Sequence, residues 1–382
     1  MQKYYDLLII GGGISGCILA SSIIDNGFKG KIAIIENGRD LGGRASARKS
    51  LKNKGWTLNH GSPNFNIENL KNNLLLSNYL EALNRKNFIK SDESMFFKID
   101  KKLNLSTFIE NPFYKGNCFT TKYSISYLLN QLIAYGVKKK QIDLFFNTLI
   151  TDLKFISNNW ILYSKKGEIF KARFIVSSSN LILHKRSKEI LKKNNIPLRK
   201  AIPEGKDKNI DKLIKSLNKQ DFLCRINYLI YTNNEYSYKK FNKYKNIHFL
   251  LSEKAENQFG FERIIFQQQE SSKIGVVIHT KKLIIDRLIK DDVLSNDALI
   301  KKFNHIFEFS NLINKLVNYE DISIMRWRAS QPTGFRIPKQ LQICEDSKIA
   351  FCGDWFDYSG FGRVEGAILS AIYLSNNLIK VL

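Results

Sequence analysis

Gly11, Gly13 and Gly16 follow directly on the apolar run Leu7-Leu8-Ile9-Ile10, at the spacing of a turn whose backbone can touch a phosphate. Each position has a physical task. Gly11 permits a tight turn out of a strand. Gly13 keeps a Cβ out of the path of a pyrophosphate, and Gly16 lets the next helix pack close to the strand. The N-terminus of that helix offers unpaired N–H groups and the positive end of its dipole to an anion. A second apolar run, Lys31-Ile32-Ala33-Ile34-Ile35, leads to Glu36, about 20 residues beyond Gly16, where a carboxylate can accept both hydroxyls of a ribose. Strand, glycine turn, a helix over Ile18–Ile24, strand and acid stand in the order of a dinucleotide-binding βαβ unit. These residues alone leave NAD, NADP and FAD open.

Two further blocks carry chemistry. Gly42-Gly43-Arg44 joins a backbone free to approach a ligand to a guanidinium fork suited to phosphate. Far along the chain, Lys348–Asp354 reads as a strand ending in Gly353-Asp354, and Val364-Glu365-Gly366-Ala367 opens an apolar helix. Between these blocks the pattern is mixed. Tyr123, Tyr127, Leu128, Leu132 and Ile133 recur at helical spacing, Asp143–Ile150 reads as a strand, and 159–164 with 168–172 reads as a hairpin. Phe174-Ile175-Val176 reads as a buried strand. Strands are also expected at Arg225–Tyr231, Ile264–Phe266 and Gly275–His279, and a helix over Ala298–Phe309.

Composition narrows the class. The 382 residues are 43% hydrophobic, which suits a globular enzyme, and no stretch approaches the ~20 apolar residues of a membrane span. No signal peptide is read, so a cytoplasmic location is expected. The cysteines, Cys17, Cys118, Cys224, Cys344 and Cys352, are scattered and never spaced as CxxC, and the five histidines lack metal-type spacing. The expected state is reduced thiols and no metal. The net charge of +25 comes from 60 basic and 35 acidic residues, with lysines spread along the chain. Short runs such as Lys138-Lys139-Lys140 and Lys239-Lys240 read as solvated ends or loops. A positive surface can still steer an anionic substrate.

Taken together, the three glycine-marked blocks resemble the flavin-containing amine oxidase superfamily, and within it the renalase-like oxidoreductases. Asn59-His60-Gly61-Ser62-Pro63-Asn64-Phe65 is similar to that group's Asp-His-Gly-Ala-Gln-Tyr-Phe stretch. Ile150-Thr151-Asp152-Leu153 ahead of Trp160 is similar to its adenine-contacting strand, and Arg326-Trp327-Arg328 to its Trp-Arg-Tyr-Ala block. The resemblance implies FAD held without a covalent link. It places Gly11, Gly13, Ile14, Ser15 and Gly16 at the pyrophosphate and Glu36 at the adenosine ribose. Gly43 and Arg44 fall beside the phosphates and flavin, and Ile150 at adenine. Gly353 and Asp354 fall at the ribityl–phosphate region, with Val364, Glu365, Gly366 and Ala367 forming a helix start at the flavin N1–C2=O edge. His60, Trp327 and Trp355 are substrate-side candidates. Asn59, Pro63 and Asn64 depart from the pattern near the expected flavin face, which points to a different substrate.

The expected fold is α/β: a Rossmann-like FAD-binding domain with a parallel sheet, from residues 1–65, 121–180 and 340–382. An inserted α+β substrate domain is expected from 66–120 and 181–339. The resemblance implies an FAD-dependent oxidoreductase that takes a hydride from a small reduced molecule, with dihydronicotinamide isomers the implied substrate, an anionic dinucleotide the implied partner and dioxygen the implied acceptor. An amine oxidase or a carotenoid- or porphyrin-type desaturase of the same superfamily is the enzyme alternative. A non-catalytic flavoprotein or a basic nucleic-acid binder is the alternative from another class.

Overall fold

The computed structural model describes residues 3–50, 56–68, 70–108, 116–232, 244–269, 273–282, 293–308, 310 and 313–382. Its first strand, β1, spans Lys3–Ile10, and Leu7 to Ile10 are all buried, as in a strand covered on both faces. The helix α1 spans Ile14–Asp25 and β2 spans Ile32–Ile35. The helix therefore starts four residues before the apolar run at Ile18, because the glycine turn closes directly into its first turn. β1 lies between two parallel neighbours, β2 and the strand Ile169–Ser177. Ile142–Phe145 extends the sheet beyond β2, also in parallel. On the other side Asn159–Ser164 and Ile150–Ile156 add antiparallel strands, and Ile349–Phe351 pairs in parallel with the end of Ile169–Ser177. The helices Ile125–Lys138 and Val364–Leu378 pack against α1.

A second sheet has seven strands. In order they are Asp321–Gly334, Gln220–Thr232, Ile274–Thr280, Phe261–Gln268, Asn246–Leu251, Met95–Ile99 and Leu105–Phe108. One face packs on the helices Glu253–Phe259 and Asn296–Ile306 through Phe249, Phe266, Phe303 and Phe307. A short ribbon, Ala47–Lys49 with Thr57–Asn59, lays Leu58 and Trp56 against Leu229, Tyr231, Ile265 and Val277 of its other face. Asn64–Ile67, Asn117–Thr121 and Ile89–Ser91 form a separate three-stranded sheet. No helix among the described residues is long and apolar enough to cross a membrane.

Three local readings change. The stretch Asp143–Ile150 is not one strand: it ends at Phe145, turns at Asn147 with φ +53°, and resumes at Ile150 in another part of the sheet. The turn is held by Glu36, whose N–H donates to Phe145 O (2.8 Å) and whose carbonyl accepts from Thr148 N (3.0 Å). Conversely, the second hairpin strand and the buried Phe174–Val176 run are one continuous strand, Ile169–Ser177. The Ala298–Phe309 helix starts earlier, at Asn296, where Ser295 Oγ caps Ala298 N (3.2 Å), and ends at Ile306. Lys138-Lys139-Lys140 lies exposed at a helix end, while Lys239-Lys240 lies outside the described residues.

Candidate functional site

A cavity of about 470 Å³, within the range of small-molecule sites, is walled by both sheets. Its first wall is the glycine turn. Gly11 adopts φ +108°, and a Cβ on Gly16 would stand 2.1 Å from Gly11 O, so the helix reaches this close to the strand only with glycine there. Helix α1 begins after Gly13 with no side chain capping it, and the Val364–Leu378 helix begins after Arg363 in the same state. Gly13, Ile14, Ser15, Arg363, Val364 and Ala367 all line the cavity, so both uncapped helix starts open onto it. Ser15 Oγ donates to Ala367 O (3.0 Å) and ties the two starts together.

Glu36 closes one end. Its carboxylate accepts from Gly12 N (2.7 Å) and Gly38 N (2.5 Å), which fixes it against the turn. Thr148, Leu149 and Ile150, from the turn wrapped around Glu36, complete this end. In the middle, Gly42 N donates to Gly12 O (2.9 Å) and Gly43 adopts φ +54° with its flank against Gly13. Arg44 pairs with the buried carboxylate of Asp354 and donates to Ser330 O (3.4 Å), linking the glycine loop to the second sheet. Trp355 also faces the cavity, and its buried Nε1 has no hydrogen-bond partner among the described residues.

The other end is charged and belongs to the second sheet. Asn227, His279 and Arg263 stand in register on three adjacent strands. His279 is buried, and that burial, then Arg263 and Arg225, hold its pKa well below the usual histidine value. The ring is therefore neutral. Nδ1 accepts from Arg225 Nη1 (2.9 Å) and Arg263 Nη2 (3.1 Å), so the proton sits on Nε2, which donates to His60 O (3.0 Å). Asn227 Nδ2 donates to the same carbonyl (2.7 Å). Arg225 also pairs with Glu262, and Lys282 lies 3.6 Å from that carboxylate.

The cavity wall thus includes Gly11, Gly13, Ile14, Ser15, Glu36, Gly43, Arg44 and Ile150 from the first half of the chain. From the second half it includes Gly353, Asp354, Val364, Ala367, Trp327 and Trp355. Four sequence candidates stand behind it. Gly16 serves the helix–strand approach, and Gly366 packs against Gly360 O. Glu365 is buried and accepts from Glu68 N (3.1 Å) and Ser359 Oγ (3.0 Å). His60 stacks on Trp327 with centroids 5.6 Å apart, and its ring bonds Ser46 Oγ (3.3 Å). Burial, then Arg48, lowers the His60 pKa to about 4. Sequence reasoning missed Arg225, Glu262, Arg263 and Lys282 as wall residues. For Arg225, Glu262 and Arg263 the signal was present as charged side chains interrupting otherwise apolar strands, whereas Lys282 follows its strand and gave none.

A profile of NAD(P)-binding Rossmann-like domains matches residues 9–76. No curated protein matches the sequence. Among solved structures, cyclohexylamine oxidase from Brevibacterium oxydans IH-35A superposes with a TM-score of 0.66 at 10% identity, covering 98% of this chain and 99% of that one. Putrescine oxidase bound to putrescine gives 0.63 at 11% identity, with both chains fully covered. A flavoprotein/dehydrogenase from Cytophaga hutchinsonii gives 0.52 at 13% identity, covering 99% of this chain and 78% of that one. At these identities the likeness is one of fold: the chain is a mixed α/β protein with a Rossmann-like nucleotide-binding domain, built on the architecture of these oxidases and this flavoprotein.

Proposed function

We propose that this chain is a renalase-like, FAD-dependent oxidoreductase. The observation that carries the proposal is the single cavity in which two uncapped helix starts, the glycine turn and Glu36 share a wall with a polar sheet surface. The residues present fit the cofactor. Gly11, Gly13, Ile14 and Ser15 would hold its pyrophosphate, Glu36 its ribose and Ile150 its adenine. Gly43, Arg44, Gly353 and Asp354 would hold its middle, and the Val364–Ala367 helix start its flavin edge. The unpartnered Trp355 Nε1 is a donor left for an occupant. FAD, when bound, supplies a two-electron acceptor for a hydride, which dioxygen then regenerates. The chain's own part is to orient and desolvate: Arg44 locked to Asp354 fixes the loop, and the positive helix start stabilises negative charge at the edge it faces.

The division of labour follows. Residues 1–65, 121–180 and 340–382 would bind the cofactor, and 66–120 with 181–339 would present the substrate. The cations on the distal wall disfavour a protonated amine through like-charge repulsion, and buried charge disfavours an apolar polyene. A small reduced molecule such as a dihydronicotinamide isomer suits the wall better. The test is anaerobic titration of the FAD-loaded protein with dihydronicotinamide isomers and, separately, with mono- and diamines. Bleaching of the flavin bands by the former and not the latter is expected. Bleaching by amines alone would overturn the substrate class.

A further inference from the structure

The charged end of the cavity has an architecture of its own. The strand Gln220–Thr232 slips register against Asp321–Gly334 between Leu223 and Arg225, and Phe261–Gln268 slips against Ile274–Thr280 between Phe261 and Arg263. Such irregularities re-aim side chains, and here Arg225, Glu262 and Arg263 all line the cavity although Glu262 and Arg263 are consecutive. Two guanidiniums meet at one neutral acceptor, His279 Nδ1, at 2.9 and 3.1 Å. Both are largely buried: the Arg225 side chain is 8% exposed and Arg263 is 8% exposed. Lys282 lines the same end, and its pKa is lowered, by burial first, with Arg225 and Arg263 acting in the same direction against Glu262. This end of the cavity is thus lined by Arg225 and Arg263 from the sheet and by Lys282 just beyond its strand, beside the carboxylate of Glu262. Guanidinium and ammonium groups gathered at one cavity wall form a recognition surface for a phosphate or carboxylate. The register also sets Arg225 opposite Trp327, so a flat aromatic surface adjoins the cations. Beside them Asn227 Oδ1, on a residue 2% exposed, has no hydrogen-bond partner among the described residues and is left to accept from a substrate N–H or O–H.

We propose that this end of the cavity is an oxyanion subsite, in which Arg225 and Arg263, supported by Lys282, hold a phosphate or carboxylate group of the substrate while Asn227 Oδ1 accepts from a neighbouring donor. The proposal deepens the oxidoreductase reading and rests on it. His279 is a positioning residue: by accepting from both arginines and donating to His60 O it sets the angle of the fork, and carries no charge of its own.

The test uses FAD-saturated protein, so that the glycine turn is closed to added phosphate. Inorganic phosphate and succinate are titrated separately, with chloride at matched ionic strength as control, reading melting temperature and tryptophan fluorescence. At least one anion is expected to raise the melting temperature and change the fluorescence saturably, phosphate alone or succinate alone deciding which oxyanion the site prefers. Arg263→Gln is expected to weaken that binding at least tenfold with flavin content unchanged. Because Arg263→Gln could perturb the sheet, Lys282→Gln, at a side chain 38% exposed, serves as a second variant and is expected to weaken binding several-fold. No saturable response in the parent protein, or binding unchanged in both variants, would overturn the subsite. Flavin per chain, measured on the same samples, separates that outcome from failure of the cofactor reading, which a flavin-free protein would show.

Discussion

His60 shows how a residue conspicuous in the sequence acts through its neighbours. It lies behind the cavity wall, stacked on Trp327, with its carbonyl taking hydrogen bonds from Asn227 and His279. A catalytic base would need its ring at the cavity, whereas this ring is 1% exposed and stays neutral down to a pKa of about 4. The consequence is a stability effect. Between pH 6.5 and 4 the unfolded chain protonates this histidine and the folded chain does not, so stability is full above pH 6.5 and falls as pH drops towards 4. The loss from this one group is on the order of 3 kcal/mol. Denaturant titrations across that range are expected to show a smaller fall for His60→Phe, which keeps the stack and removes the titration. An unchanged slope would mean the ring is protonated in the folded protein.

Two elements matter most, α1 and the Val364–Leu378 helix, because both begin uncapped at the same cavity. Their starts are joined by one side-chain hydrogen bond, Ser15 Oγ to Ala367 O, within a buried contact. Ser15→Ala is therefore expected to lower unfolding free energy by about 1 kcal/mol. It should also weaken FAD uptake, read as a shift in the flavin-binding isotherm, since the two positive ends lose their fixed spacing. A stability loss with unchanged flavin affinity would show that the spacing is set elsewhere. At this scale the sequence was readable where the requirement is local. The turn from Gly11 to Gly16, Gly43-Arg44 and Gly353-Asp354 announce themselves because Gly11, Gly16, Gly43 and Gly353 hold a positive φ or an approach that a Cβ would obstruct, and Glu36 because an acid ends the second strand; all reach the cavity wall or the packing behind it. The break in Asp143–Ile150 was not readable, because an apolar run gives no sign that Glu36 will hydrogen-bond across it and turn the chain.

For the molecule as a whole, the distant half of the cavity was the least legible part. Arg225, Arg263, His279 and Lys282 come from separate strands and the turn after one of them, and they meet only through cross-strand register and its two slips. No short-range pattern encodes that meeting. The same long-range assembly gives the cavity its two walls, one of glycines and helix starts from one sheet layer and one of cations from the other. FAD binding at the first wall is tested most directly by the visible absorption of the purified protein, with flavin quantified after denaturation. Flavin bands and about one releasable FAD per chain are expected, either as isolated or after incubation with FAD. A colourless protein that takes up no FAD would contradict that binding.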